Sequence, residues 1–274
     1  MIGVASAAEV GARLFGAEDF RFQFGMRRGD GHWFEVPRGE ESALADRRRW
    51  LAQAPRECLA WTPEADAVWP GVAACFAGGD LPPAVREGGL AGCRALGGSW
   101  EPDFLLLRRG EEGEFRLAGG CVCFPSSWEL AGKVGRGVAD IHGLVPTLNA
   151  SLGDRIQTFL GRLSGEAVFE RENWGLAAVG ERNHHPARPW PRLDGGARVA
   201  TTFLRVEHQA FRALAEVQGL LFVIRLAVYP LGEVLAAPGV RENFCRQLAS
   251  LPDEVAAYKG LARARPALVA ELSG

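Results

Sequence analysis

Apolar and polar positions alternate most clearly in the later half of the chain. "LLFVIRLAVYPL" (220–231), "ATTFLRVEHQ" (200–209) and "VFERENWGLAAVG" (168–180) carry the β-branched, aromatic and period-two patterning of strands. "DFLLLRRGEEGEFRLAGGCVCF" (103–124) predicts a hairpin, because two short apolar runs flank a tight Gly-Glu-Glu-Gly tip. "FRFQFGMR" (20–27) alternates in the same way and predicts a further strand. A 3.6-residue period instead marks "EESALADRRRWLAQA" (40–54), "EADAVWPGVAACFAGG" (64–79) and "GDRIQTFLGRLSG" (153–165) as helices. The 78–98 stretch, rich in Gly, Pro and Arg, reads as a loop around a short helix. "PSSWELAGKVGRGVADIHGL" (125–144) reads as a glycine-interrupted helix, with Ser126 or Ser127 as N-cap and Glu129 in its first turn. Residues 239–272 are helical with a break near Pro252. This order predicts an α+β fold, an antiparallel sheet packed on helices.

Composition narrows the class. The 274 residues are 47% hydrophobic and 23% charged, enough to build a sizeable core. A net charge of −2, from 31 basic and 33 acidic residues, offers no field of one sign for a nucleic acid. No apolar run reaches the roughly 20 residues of a membrane span, and Glu9 and Arg13 interrupt the opening segment where a secretory signal needs an unbroken apolar stretch. The expected location is the cytoplasm. Six cysteines without a repeating spacing predict free buried thiols, and without any CxxC or CxxCH a haem would be held non-covalently. "GKVGRG" (132–137) fits no dinucleotide fingerprint, and the P-loop, HExxH and GxSxG motifs are absent.

One block concentrates chemistry: "CVCFPSSWELAGKVGRGVADIHGLVP" (121–146). Together with "RENWGL" (171–176), "LRVEHQAFRAL" (204–214), "LLFVIRLAVYPL" and "YKGL" (258–261), it resembles the haem-dependent oxidative N-demethylase family in order and spacing, over roughly residues 20–270. The resemblance implies a PAS-like antiparallel sheet with a haem pocket on it, binding haem b. It also implies removal of a methyl group from a secondary amine with dioxygen, using electrons passed from NADPH by a separate reductase or ferredoxin-type protein. The expected organisation is a single haem-binding domain over 1–274, with an N-terminal layer (1–100), a PAS-like core (101–235) and C-terminal helices (236–274). The chain departs from the family pattern at His208, at "WEPDFLLL" (100–107) and at "GERNHHPARPWPRLDGG" (180–196), which implies a substrate larger than dimethylamine.

A haem needs an axial ligand, apolar walls and cations for its propionates. The histidines are His32, His142, His184, His185 and His208. With the resemblance, His142 is the expected haem-iron ligand, while His208, His184 and His185 stay open as contributors. Lys133, Arg136, Trp128, Asn173 and Arg205 are the expected haem-binding residues, and Glu207, Arg225 and Arg171 the expected catalytic ones. The plainer readings are a solvated face for Lys133 and Arg136, a structural ion-pair cluster for the strand arginines and Glu207, and core packing for Trp128 and Trp174. Glu207 and Trp174 are the candidates to hold a cationic amine. Cys121 and Cys123 are the rival thiolate ligands, but they read as neutral buried thiols because no electropositive helix terminus stands beside them. A haem-binding sensor or carrier is the alternative to an oxygenase, and a scaffold without haem the third possibility.

Overall fold

The computed structural model describes residues 5–34, 39–76, 81–165 and 167–274. The chain order is α1 (Ala7–Leu14), β1 (Arg27–Arg28), α2 (Glu41–Gln53), α3 (Pro55–Cys58), β2 (Leu59–Trp61), α4 (Pro63–Cys75), α5 (Pro83–Glu87) and α6 (Gly89–Ser99). It continues with β3 (Asp103–Arg109), β4 (Phe115–Cys121), α7 (Val138–His142), α8 (Leu148–Arg162), β5 (Val168–Ala177), β6 (Phe203–Leu214) and β7 (Gly219–Pro230). Four helices follow: α9 (Leu231–Val234), α10 (Val240–Ala249), α11 (Asp253–Tyr258) and α12 (Arg265–Ser273). The strands form a seven-stranded antiparallel sheet in the order β1-β5-β6-β7-β3-β4-β2, so the fold is α+β as the periodicity requires.

Directly opposed residues of antiparallel strands point to the same face. One face carries Phe104, Leu106, Leu221, Val223 and Ala210 into a core shared with α2, α4 and α6, around Trp69, Phe76 and Trp100. Further along this face, Trp174, Val206 and Tyr229 pack with α1 and the C-terminal helices around Phe15 and Phe244. On the opposite face, Leu105, Leu107 and Leu220 meet Leu152, Ile156 and Leu160 of α8. That cover reaches only part of the face, and the remainder becomes the site. Close approach of β4 to both neighbours depends on Gly119 and Gly120. A Cβ at Gly120, where φ is +151°, would lie 2.2 Å from the Phe104 carbonyl oxygen, and one at Gly119 would lie 2.8 Å from that of Ala60.

A buried ion pair ties the helical layer to the sheet. Arg47 of α2 is fully buried and donates to Asp103 Oδ1 at 2.6 Å, to the carbonyls of Gly97 (2.6 Å) and Glu101 (3.1 Å), and to Cys121 Sγ at 3.3 Å. Asp103 in turn accepts from the amides of Cys123 (2.7 Å) and Phe124 (3.0 Å). Glu101, in the same departing "WEPDFLLL" stretch, holds Arg225 at 2.8 Å. Both acids of that stretch are therefore internal counterions.

Three local expectations are corrected. Only Arg27–Arg28 of the 20–27 segment pairs as a strand, against Phe169 and Glu170; the preceding alternation puts Phe20, Phe22 and Phe24 against the helices and no strand runs beside it. Within 78–98, the described part (81–98) forms two helices; 77–80 lie outside the described residues. Glycine there serves packing, since a Cβ at Gly97 would lie 2.5 Å from Cys121 Sγ. Finally, 125–137 is not a helix: Ser126 bridges to His184, Ser127 adopts φ +67°, and helix forms only at Val138–His142. Pro125 and three glycines leave too little helix propensity to offset these tertiary bonds.

Breaking the buried pair strands the surviving charge. Arg47→Met is expected to cost about 3–5 kcal/mol of unfolding free energy. The check is the denaturation midpoint at unchanged m-value, and a loss below about 1 kcal/mol would show the pair to be dispensable.

Candidate functional site

Strand register builds the site. Three rows cross β5, β6 and β7 on the partly covered face: Arg171–Gln209–Ile224, Asn173–Glu207–Leu226 and Gly175–Arg205–Val228. Beside them lies a cavity of about 440 Å³, within the usual size range for a small-molecule site. Asn173, Gly175, Arg205 and Glu207 form its floor. Ser126, Ser127 and Trp128 contribute from the "CFPSSW" strip, His184, Trp190 and Arg192 from the 180–196 loop, and Tyr258 and Lys259 from the end of α11.

Glu207 is the one carboxylate lining this cavity among the described residues; it accepts from Gln209 Nε2 at 2.9 Å and from Asn173 Nδ2 at 3.3 Å. Arg205 is buried and donates to the carbonyls of Glu181 (2.8 Å) and Arg182 (2.9 Å), reaching Pro125 O and Ser126 Oγ at 3.4 Å. Burial pushes its guanidinium down to about 10, with Glu207 pulling the other way, so it stays protonated at neutral pH. Burial likewise lowers Arg171, and Glu207 partly offsets it. The Nε atoms of both arginines, together with Trp190 Nε1 and His184 Nε2, are buried without a hydrogen-bond partner. Such atoms are costly unless a ligand or water completes them.

The loop is anchored from outside. Arg188 pairs with Glu57 at 2.7 Å and lies 3.8 Å over the Trp50 ring, Arg182 pairs with Asp46 at 2.9 Å, and buried His185 stands 3.7 Å from Glu57. Inside, His184 stacks on Trp190 with ring centroids 4.1 Å apart, and Arg192 lies 3.4 Å over that indole. Burial, then Arg205 and Arg192, push His184 down to about 3, so its imidazole is neutral.

His142 ends α7, half-buried, and its imidazole has no hydrogen-bond partner among the described residues. Burial, then the charges of Arg171 and Lys133, hold its pKa below the ordinary value. It therefore lies within the electrostatic reach of Arg171, although it is not among the residues lining the cavity. Lys133 stands 5.8 Å from the Trp128 ring, whereas the Arg136 side chain is exposed on the turn before α7. The structure thus brings together Arg171, Asn173, Arg205, Glu207 and Trp128, sets His142 and Lys133 at the margin, and leaves Arg136 outside.

Arg225 does not join them. It shares the row Glu172–His208–Arg225 on the opposite face, where it is buried against Glu101; strand parity separates it from Glu207. His208 is on that face too, 2.9 Å from Glu172, which also binds Arg13 at 2.7 Å. Trp174 borders the cavity too, but its ring packs against Phe15 and Phe244 in the core; the other aromatic residues lining the cavity are Trp128, Trp190 and Tyr258. Cys121 and Cys123 lie 3.8 Å apart in the helix-covered core and do not line the cavity. The electropositive group expected to be missing beside them is Arg47. Hydrogen bonding to Cys123 and burial push Cys58 and Cys121 up, while Cys123, against burial, is drawn down by those thiols and by Arg47.

Gln209, Trp190, Arg192 and Lys259 are lining or adjoining residues that the sequence reading does not single out, and His184 is one it leaves open as a contributor. Gln209 follows Glu207 by two and so shares its face, a signal that was available. The loop residues carried only the unusual composition of 180–196.

An antiparallel sheet with one face open to a polar, cation-rich pocket defines a small-molecule-binding α+β protein. The family model for haem-dependent oxidative N-demethylase, alpha subunit-like proteins matches residues 85–269, and the chain belongs to that family of haem-dependent oxidoreductases. No helix among the described residues is long and apolar enough to cross a membrane.

The opposite-face row gives a prediction. Burial raises Glu172, but His208 and Arg13 outweigh it and hold the carboxyl at about 2, against an ordinary value of 4.5. A depressed carboxylate stabilises the fold above about 4.5, and that stability is lost as pH falls toward about 2. Glu172→Gln should therefore lower the melting temperature at pH 7, and the gap from the native protein should shrink between pH 5 and 2. A gap independent of pH would refute the pairing. His208→Gln should leave haem retention unchanged.

Proposed function

We propose that this chain oxidises an amine with dioxygen, holding haem b non-covalently against the Arg171–Asn173–Glu207–Arg205 face. The observation that supports the reading most is the charge imbalance of that face. Arg205, Arg192 and Lys259 line the cavity with Glu207, its one lining carboxylate among the described residues; Arg171 lies within electrostatic reach of Glu207, and several buried donors lack protein partners. A ligand bearing two carboxylates, as haem does, fits such a donor set. Arg171, Arg205 and Lys133 would hold its propionates, Trp128 and Asn173 would flank it, and His142 would supply the axial nitrogen. The neutral state of His142 leaves it a lone pair for iron. When bound, haem supplies the activation of dioxygen that the side chains cannot.

The side chains do the rest. Glu207, steadied by Asn173 and Gln209, receives a cationic amine beside the Trp128 ring. Arg171 stands within electrostatic reach of that carboxylate, while Arg225, paired with Glu101 on the far face, supports the strand and does not act on substrate. The 180–196 loop closes the cavity opposite the sheet and limits substrate size. The PAS-like reading draws support from the β3–β4 hairpin lying beside the last strand, β7, and the single-domain reading from a sheet that packs helices from both ends of the chain. With no dinucleotide fingerprint in the sequence, electrons from NADPH reach the haem through a separate reductase or ferredoxin-type protein.

A second ligand reading rests on one observation: His184 is neutral, lines the cavity and has an unpartnered Nε2. Reconstitution with haem decides between them. His142→Ala should lose haem retention with the fold intact by circular dichroism, while His184→Ala retains it with an unchanged visible spectrum; the reverse result moves the ligand to His184.

Turnover gives a separate prediction. NADPH alone should leave the haem oxidised, whereas added reductase, dioxygen and a panel of secondary and tertiary N-methylamines should yield aldehyde. A reducible haem without oxygen-dependent product from any amine would favour a sensor or carrier.

A further inference from the structure

Of the 31 basic side chains, only Lys133 and Lys259 are lysines; the rest are arginines. Both lysines stand at the candidate site, each over a tryptophan: Lys133 Nζ lies 5.8 Å from the Trp128 ring and Lys259 Nζ 5.1 Å from that of Trp174. Arginine supplies positive charge and stacks on indoles at least as well as lysine. What lysine alone provides is a proton it can lose and a nitrogen that then becomes a nucleophile.

Lys259 is placed for that role. It lines the cavity, and Nζ donates to the Trp174 carbonyl at 2.7 Å. A neutral amine keeps two N–H donors, so this bond survives deprotonation and leaves the lone pair free. No carboxylate stands within ion-pair distance of Nζ among the described residues. The charged and titratable groups around it are Glu207 and Arg205 on β6, Arg171 on β5 and Tyr258 beside it on the chain. Burial and then Arg171, opposed by Glu207, push the ammonium down to about 8. At pH 7.5 that leaves about two hundred times more free amine than an ordinary lysine has.

We propose that Lys259 is a carbonyl-reactive amine that captures the small aldehyde released by oxidative removal of an N-methyl group, an inference that rests on the demethylation reading above. The Nζ lone pair bonds to the aldehyde carbon, the carbonyl π pair moves to oxygen, and a proton passes from nitrogen to that oxygen to give a hydroxymethylamine. Loss of water, taking the hydroxyl and the remaining Nζ proton, gives an imine, and hydrolysis returns lysine and aldehyde. Nothing is oxidised or reduced.

The test uses the whole chain, with and without haem, treated with isotopically labelled formaldehyde and cyanoborohydride at pH 7.5 and read by peptide mass spectrometry. Lys259 should be alkylated at least tenfold faster than Lys133, at a rate that climbs with pH through about 8. Arg171→Gln, which removes the repelling charge, should slow the labelling at pH 7.5. Equal labelling of the two lysines, or faster labelling of Lys133, would overturn the proposal. Because capture needs no turnover, the two readings fail separately. Selective labelling with no aldehyde from any amine would support the reactive lysine and remove demethylation, whereas aldehyde formation with an inert Lys259 would do the opposite.

Discussion

The contact between Arg47 and Asp103 holds the core and the pocket in one register. A guanidinium with no exposure to water needs nearly all its donors satisfied, and the Gly97 and Glu101 carbonyls, Asp103 and Cys121 do so from α6, the α6–β3 junction, β3 and β4. Asp103 then fixes the amides of Cys123 and Phe124, where β4 gives way to the strip that lines the cavity. From there the restraint passes outward. Pro125 O accepts from His184 N at 3.1 Å, Ser127 N donates to His184 O at 3.2 Å, and Arg205 clamps Pro125 and Ser126 from the sheet. The pocket wall therefore inherits its position from a charge pair where the helical layer meets the start of β3.

This dependence explains what the sequence could convey. β3 to β7, α2, α4, α8 and the C-terminal helices follow from periodicity because each buries a continuous stripe. The 125–137 segment misleads because its seryl, prolyl and glycyl pattern imitates a helix start, while its bonding partners are His184 and Arg205, remote in sequence. The N-terminal phenylalanines alternate like a strand, yet alternation reports only that one side is buried and not whether a neighbouring strand pairs with it. Among site residues, period two places Arg205 and Glu207 together on β6, but whether Arg225 on β7 joins them depends on the register Arg225↔His208, which no single-strand pattern contains. Trp174 and Arg171 differ for a simpler reason: three residues apart on one strand, they face opposite ways by period two alone.

The haem-family resemblance and the physical reading meet at the pocket's electrostatics. A sheet face bearing Arg171 and Arg205 beside Lys259, with Glu207 as the only lining acid among the described residues, is an unfavourable arrangement for an empty cavity. Like charges repel, and each buried Nε or indole N–H that lacks a protein partner needs one from water or a ligand. An anionic ligand completes those donors and relieves the repulsion together, so binding and folding are coupled through the same atoms.

The same imbalance sets the chemistry open to Glu207 and Lys259. In the proposed reading, haem carboxylates would neutralise the arginines and leave Glu207 as the net charge that an ammonium encounters, held by two neutral amides and not cancelled by a direct ion pair among the described residues. Lys259 stands differently: burial, with Glu207 and then Arg171 acting in opposite senses, lowers its pKa, no carboxylate is at ion-pair distance among the described residues, and one N–H is committed to the Trp174 carbonyl. One group favours a bound cation and the other favours shedding its own. In the proposed reading, a cavity that attracts a charged amine at the sheet and presents a neutral amine at its edge would separate the binding of a cationic substrate from the handling of an uncharged, electrophilic product, using residues that strand register and the α11 terminus bring to a single wall.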